Sequence, residues 1–194
     1  YEARADAPAV RVVATCTVDF DGCMKVAMTL TPGEEPAEIE RLWIDIPLRD
    51  AEVPLYHTFV DGIRINPAGP TPRGRGRVWH SGEAPRREDW QNTFCSYVWL
   101  GAERRGLAWF AENDAGWLTA RGGDDRPVQE LIRDGNRLTL RVYLANTPST
   151  LQGPRRLVFG LQASPVKPMP DRWRQRNNYM PAISGPVRPW GGLS

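Results

Sequence analysis

Hydrophobic and polar residues alternate with a period of two along most of the chain, which is typical of strands with one buried face. The first alternation covers residues 10–17 and the second covers residues 24–30, with the strong hairpin signal Asp21-Gly22 between them. Further strands are indicated at residues 42–46, 78–80, 97–111, 128–132, 137–145 and 157–163. Because strands do not alternate with helices, the pattern predicts an all-β fold, an antiparallel β-sandwich of roughly eight to twelve strands with long loops and little helix.

Prolines and glycines predict where these strands stop. Pro47 is expected to end the 42–46 strand, and residues 50–76 are expected to form a long loop or short edge strands. Residues 84–91 are expected to form one helical turn. The expected organisation has three parts, a loose lead-in, the sandwich, and a linker or docking tail, at residues 1–9, 10–168 and 169–194. The ends of the chain lack an initiator Met and a capped final element, which favours a piece of a longer protein or a processed chain.

Composition narrows the class of protein. Apolar residues make up 41% of the chain, enough to fill a core, and 18 glycines with 18 prolines favour turns over long helices. No apolar run reaches the length of a membrane-spanning helix. A net charge of +2 does not favour a nucleic-acid partner. The short basic stretch at residues 73–77 is interpreted as a solvated loop.

The three cysteines do not form a disulfide framework, because their number is odd. Cys16 and Cys23 flank the first turn, so the alternatives are a bridge between them or, with Cys95, three small buried hydrophobic residues. Their spacing does not fit zinc, and no metal or other cofactor is predicted. Calcium stays open, since Asp124 and Asp125 lie in a glycine-rich segment.

The segment from Tyr97 to Trp117 is the most informative, because it holds three of the eight tryptophans. A hairpin folded about residues 103–104 pairs Leu100 with Leu107, Trp99 with Ala108, Val98 with Trp109, and Tyr97 with Phe110. Directly paired residues share a face, so both faces of this hairpin are apolar. Such a hairpin is expected at the centre of a sheet, with the core on one side and a second layer, a partner domain or a ligand on the other.

Glu112 and Asp114 continue the Phe110 face if the strand runs that far. Carboxylates accept sugar hydroxyls and aromatic rings pack on the apolar face of a pyranose, so this layout favours carbohydrate binding. The candidate carbohydrate-binding residues are Trp79, His80, Trp99, Trp109, Glu112, Asp114 and Trp117. The alternative is that Trp99 and Trp109 belong to the core and that Asp114 only forms a turn. No hydrolase motif or phosphate-binding loop occurs, so no catalytic residue is assigned.

Several segments together resemble the N-terminal β-sandwich domain of glycoside hydrolase family 123-like proteins. The resemblance spans about residues 10–175, and it is carried by Leu55-Tyr56-His57, Asn66-Pro67-Ala68-Gly69, Val78-Trp79, Tyr97–Gly101, Glu103–Trp117 and Phe159–Pro168. It implies a sandwich that precedes a catalytic (β/α)8 barrel, in a bacterial protein that acts on N-acetylgalactosamine-containing glycans outside the cytoplasm, extracellularly or in the periplasm. The family's catalytic Asp-Glu pair lies on the barrel, which this chain lacks, so no catalytic residue is carried over.

The leading hypothesis is a non-catalytic β-sandwich module of a carbohydrate-active enzyme, which braces the catalytic barrel of the same protein and contributes to glycan binding. One alternative is a free-standing carbohydrate-binding module. A second alternative is a small sandwich hydrolase or lyase that uses Glu112 and Asp114.

Overall fold

The fold is an all-β sandwich, as the alternation predicts. The computed structural model describes residues 2–7, 9–59, 66–83, 94–119 and 126–166, and for residues 2–7 only the backbone. The described residues contain fourteen strands and two 3₁₀ helices, Asp50–Glu52 and Ser81–Glu83. The strand count exceeds the expected eight to twelve because three strands of three residues are too short to show an alternating pattern. The helical turn expected at residues 84–91, the tail at 169–194, and Asp124 with Asp125 lie outside the described residues.

The larger sheet has eight strands in the order β1-β2-β3-β14-β10-β9-β6-β7, and every pairing in it is antiparallel. Its strands are β1 (Glu2–Ala7), β2 (Val10–Val18), β3 (Cys23–Pro32), β6 (Leu55–Phe59), β7 (Ala68–Pro70), β9 (Tyr97–Ala102), β10 (Arg105–Phe110) and β14 (Arg155–Ser164). The turn between β2 and β3 forms where Asp-Gly predicts it, with Gly22 at a φ of 86°. Glu2–Ala7 is a strand paired with β2, where the sequence predicts a loose lead-in.

A smaller four-stranded sheet packs on the first in the order β5-β12-β11-β8. Its strands are β5 (Leu42–Arg49), β8 (Gly76–His80), β11 (Gln129–Asp134) and β12 (Arg137–Ala145). A two-stranded sheet is formed by β4 (Ala37–Ile39) and β13 (Ser149–Leu151). Pro47 does not end β5, which continues to Arg49. A proline is tolerated there because β5 is an edge strand, paired only with β12 among the described strands.

The predicted register of the aromatic hairpin is confirmed. Leu100 pairs with Leu107, Trp99 with Ala108, Val98 with Trp109, and Tyr97 with Phe110. The hairpin lies inside the larger sheet, between β14 and β6. One of its faces therefore packs into the sandwich and the other forms the outer face of the sheet.

The core lies between the two sheets and includes an aromatic cluster. Trp109 is fully buried, and its ring centroid lies 5.9 Å from Trp117, 6.0 Å from Phe94 and 6.5 Å from Phe159. Leucines and valines from both sheets surround this cluster, and the fully buried ones include Leu30, Leu100, Leu131, Leu138, Leu157, Val98 and Val142. Rings at these distances add edge-to-face contacts to the burial of apolar area.

Cys16 and Cys23 do not form a disulfide, and all three cysteines are free. Strand pairing explains why the first two stay apart. Cys16 pairs with Val26 and so shares its core-facing side, whereas Cys23 pairs with Gln162 on the outer face. Since side chains on opposite faces of a sheet point away from each other, the bridge is sterically excluded.

The two helices in the described part of the chain are single short turns, and neither is long and apolar enough to cross a membrane.

Candidate functional site

Three aromatic side chains form a row across the outer face of the larger sheet. Phe110 on β10 pairs with Tyr97 on β9, and Tyr97 pairs with Phe59 on β6. The Tyr97 and Phe59 rings are 5.0 Å apart between centroids, tilted by 32°. In the other direction Phe110 pairs with Gly160, which pairs with Lys25. The row from Phe59 to Lys25 crosses four strand spacings, about 19 Å at ~4.8 Å each.

Glycines make room for the aromatic rings on this face. A Cβ added at Gly160 would lie 2.6 Å from Cε2 of Phe110, so the ring covers the backbone of β14 there. The same relation holds one row away, where the Trp99 ring lies against Gly101 and Gly106 and its indole N–H donates a hydrogen bond to Ser164 Oγ at 3.2 Å. These rings therefore lie flat on the sheet and present apolar faces outward.

The row borders a concave groove of about 810 Å³. Its apolar lining includes Phe59, Tyr97 and Phe110, and its polar lining includes Asp19, Lys25, Ser96, Glu112, Asn113 and Arg156. This volume and this mixture of aromatic and convergent polar groups are typical of sites for small polar ligands. We name this site, defined by those nine residues, the aromatic groove.

A tight turn after β10 places Glu112 and Asn113 at the rim. The strand ends at Phe110, and Asn113 Oδ1 accepts a hydrogen bond from the Ala115 amide at 2.9 Å. Gly116 has a φ of 84°, a conformation that favours glycine, and it packs against the Arg156 carbonyl. The turn thus leaves Glu112 exposed over the groove and turns the chain so that Trp117 enters the core.

Burial raises the pKa of two groups on the outer face of the larger sheet. Burial raises the pKa of the Tyr97 phenol above its ordinary value, so the hydroxyl is neutral at pH 7 and available as a hydrogen-bond donor. Burial, followed by the charges of Asp21 and Asp19, raises the pKa of the Cys23 thiol. Because the thiolate is the nucleophile, Cys23 is not activated for covalent chemistry.

Three of the predicted sugar platforms are part of the core. Trp109 has no exposed surface, and Trp79 and Trp117 retain only 4% and 8%. Trp79 packs against Tyr56 with their centroids 6.2 Å apart. A ring buried on both faces cannot stack on a sugar. These three tryptophans are therefore residues of the hydrophobic core and not platforms for a sugar.

The other four candidates lie in different places. Glu112 lines the aromatic groove, whereas Asp114 does not: its carbonyl accepts from the Trp117 amide at 3.1 Å, because the chain has already turned. Trp99 is half-buried on the outer face, one row from the groove. His80 is buried on the smaller sheet, where its Nε2 lies 2.9 Å from Glu83. The structure therefore brings together only Glu112 and Trp99 on one face.

A second polar cluster lies on the smaller sheet and is internally satisfied. The buried Glu130 carboxylate accepts a hydrogen bond from the Tyr143 hydroxyl at 2.8 Å. Arg141 binds Asp45 with two hydrogen bonds, of 2.7 and 2.8 Å, and lies 4.7 Å above the Trp43 ring. Because these groups pair with each other, the cluster is best explained as cross-strand stabilisation.

Sequence reasoning missed most of the aromatic groove. The predicted register puts Tyr97 and Phe110 on the face opposite Trp109, but it does not indicate which of the two faces is the core. Tryptophans are favoured over these two residues as sugar platforms. Phe59, Lys25 and Arg156 lie far from the hairpin in sequence, and only the pairing of β6, β3 and β14 brings them to it. The available signal was the alternation itself, which already puts Lys25 and Arg156 on non-core positions.

No group of three or more His, Cys, Asp or Glu side chains in the described residues could hold a metal ion. No protein-family model matches the chain, and a search of curated proteins finds no match. The resemblance to family 123-like sandwich domains therefore stays a prediction.

Proposed function

We propose that this chain is a non-catalytic β-sandwich module of a glycoside hydrolase-like protein, and that it binds a saccharide in the aromatic groove. The observation that carries the proposal is the transverse row of Phe59, Tyr97 and Phe110, with Glu112 and Asn113 at its rim. Flat rings suit the apolar face of a pyranose, and carboxylate and amide groups suit its hydroxyls. The resemblance supplies the partner, a catalytic barrel of the same protein that the module braces, and the extracellular or periplasmic setting.

One feature favours the free-standing binding module as the second candidate. The nine residues that define the groove already form a concave site within this chain. Binding by the 194 residues alone would support this reading.

The hydrolase alternative receives less support from the geometry. Its two acids are separated by the turn, since Glu112 lines the groove and Asp114 does not. A glycosidase needs two carboxyl groups facing one scissile bond. A hydrolysis assay on the glycans that bind, with Glu112→Gln as the test variant, would expose this activity if it exists.

The test of the proposal is binding by the purified chain to a glycan array, followed by calorimetry with the best hit. Tyr97→Ala and Phe110→Ala should each weaken binding by roughly ten-fold or more, because ring contacts of this kind contribute about 1–3 kcal/mol. Trp43→Ala is the matched control, since it removes a ring that is 43% exposed on the smaller sheet. Equal loss in all three variants, or no binding by the wild type, would overturn the proposal.

A further inference from the structure

Two cations lie where the aromatic groove meets a second, smaller cavity. Lys25 and Arg156 line both the aromatic groove and a neighbouring cavity of about 350 Å³. The remaining lining of the second cavity is Val13, Thr15, Thr17, Ala27 and Thr29. The outer face of the larger sheet therefore continues from rings, through two cations, to a surface rich in hydroxyl groups.

Strand pairing sets this arrangement. Lys25 pairs with Thr17 on β2, and Arg156 pairs with Thr29 on β3. Each cation therefore has a threonine directly beside it on the same face of the sheet, since paired residues share a face. Ammonium, guanidinium and hydroxyl groups all donate hydrogen bonds, and together they suit the oxygens of a carboxylate or a sulfate.

The two cations are not neutralised by the described part of the protein. Neither Lys25 nor Arg156 lies within 4.0 Å of a described carboxylate, whereas Arg141 and Arg133 are each paired with an aspartate. The second cavity has no acidic residue in its lining. Both carboxylates of the site, Asp19 and Glu112, line only the aromatic groove. The acidic residues are thus confined to the aromatic groove, whereas the second cavity is lined only by the two cations and by uncharged residues.

We infer that the site takes an acidic saccharide, with one sugar ring on Tyr97 and Phe110 and a carboxylate or sulfate group between Lys25 and Arg156. This inference rests on the proposed function and adds the class of glycan and its orientation. Glu112 sets the orientation of the saccharide, because it follows Phe110 at the end of β10 and would repel an anion placed beside the rings. Neutral hydroxyls face Glu112, and the acidic group faces the threonines.

The test uses the full chain on an array that holds neutral, uronate-containing, sialylated and sulfated glycans. We expect the bound glycans to be acidic, and the uronate, sialylated and sulfated members identify which anion is used. Lys25→Gln and Arg156→Gln should each weaken the best acidic hit by roughly ten-fold, because each removes a charge-assisted hydrogen bond. Binding of the acidic hit by the wild type should also weaken at about 1 M salt, because the Debye length falls to about 3 Å and the charges are screened.

Arg155→Gln is the matched control, because Arg155 precedes Arg156 on β14 and pairs with Leu30 on the other face of the sheet. It should leave binding unchanged. Neutral glycans that bind equally to the wild type and to Arg156→Gln, but not to Phe110→Ala, would overturn the acidic specificity and leave the proposed function standing. No binding to any member would overturn both. An equal effect of Arg155→Gln and Arg156→Gln would also refute the inference, since it would indicate only long-range charge.

Discussion

The sharpest test of the outer face is a pair of glycine substitutions beside Trp99. An alanine Cβ at Gly106 would lie 2.6 Å from both Cε2 and Nε1 of Trp99, and its three nearest contacts are all with that side chain. An alanine Cβ at Gly101 would also meet backbone, namely the Arg105 carbonyl and, at 2.6 Å, the Gly106 Cα. Removing the indole removes the three nearest contacts at Gly106, whereas at Gly101 the backbone contacts remain.

The structure gives a magnitude for Gly106→Ala. Overpacking costs about 1–3 kcal/mol, and displacing the ring loses the hydrogen bond to Ser164, about 0.5–1.5 kcal/mol. Replacing a strand glycine by alanine returns roughly 0.5–1 kcal/mol. The net loss of unfolding free energy is roughly 0.5–4 kcal/mol. In a Trp99→Ala background the ring and its hydrogen bond are already absent. Gly106→Ala should there stabilise the fold by the roughly 0.5–1 kcal/mol gained when alanine replaces a strand glycine.

Urea denaturation of the wild type, Gly106→Ala, Trp99→Ala and the double variant measures this coupling. We expect a coupling free energy of roughly 1.5–4.5 kcal/mol, well above the ~0.5 kcal/mol scatter of independent sites. Gly101→Ala, the control, should destabilise in both backgrounds. Additive effects of Gly106→Ala and Trp99→Ala would refute the reasoning, because they would mean that the ring does not lie on Gly106.

Three further outcomes are expected. Trp109→Ala should lower the unfolding free energy by about 3–5 kcal/mol in urea titrations, because it empties the centre of the aromatic cluster; a loss under ~1 kcal/mol would contradict the core assignment. The pKa of Asp45 is lowered chiefly by the hydrogen bond from Arg141, so its stabilisation is present above the unfolded pKa of about 3.9 and lost as pH falls through the folded value. In Asp45→Asn the unfolding free energy should therefore fall less steeply below about pH 4. The difference should be no more than ~1 kcal/mol because the pair is exposed. The same fall in the variant and the wild type would count against a contribution from this pair. Alkylation of the denatured chain without reductant should label Cys16 and Cys23, and protection of both would indicate a bridge.

Local patterns were sufficient for the longer alternating strands and for the aromatic hairpin. Alternation located the strands because one face of each is buried, and the symmetry of Tyr97–Phe110 fixed its register. The pattern could not reveal Pro47 inside a strand, because whether a proline is tolerated depends on the strand lying at an edge. It also could not show that Glu2–Ala7 joins the sheet, since an alanine-rich polar segment has a weak strand signal.

The site was harder to predict because it is built across strands. Glu112 was found because it follows the hairpin directly. Lys25 and Arg156 become neighbours of Phe110 only through the strand order of the larger sheet, which a period-two pattern does not determine. Trp109 was an attractive platform from its chemistry alone, and only knowledge of which face is buried removes it.

The edge strand β5 has a consequence for how the molecule meets copies of itself. β5 has eight residues and is an edge strand among the described residues, so it is long enough to template pairing with another chain, which is a route to aggregation. Pro47, the sixth of its eight residues, has no amide hydrogen to share, and Asp45 and Arg49 place charges on either side of it. A foreign strand approaching this edge would find the ladder interrupted and polar. Replacing Pro47 with valine would keep the sandwich but remove that protection. The smaller sheet would then have an unprotected edge strand that can pair with another chain.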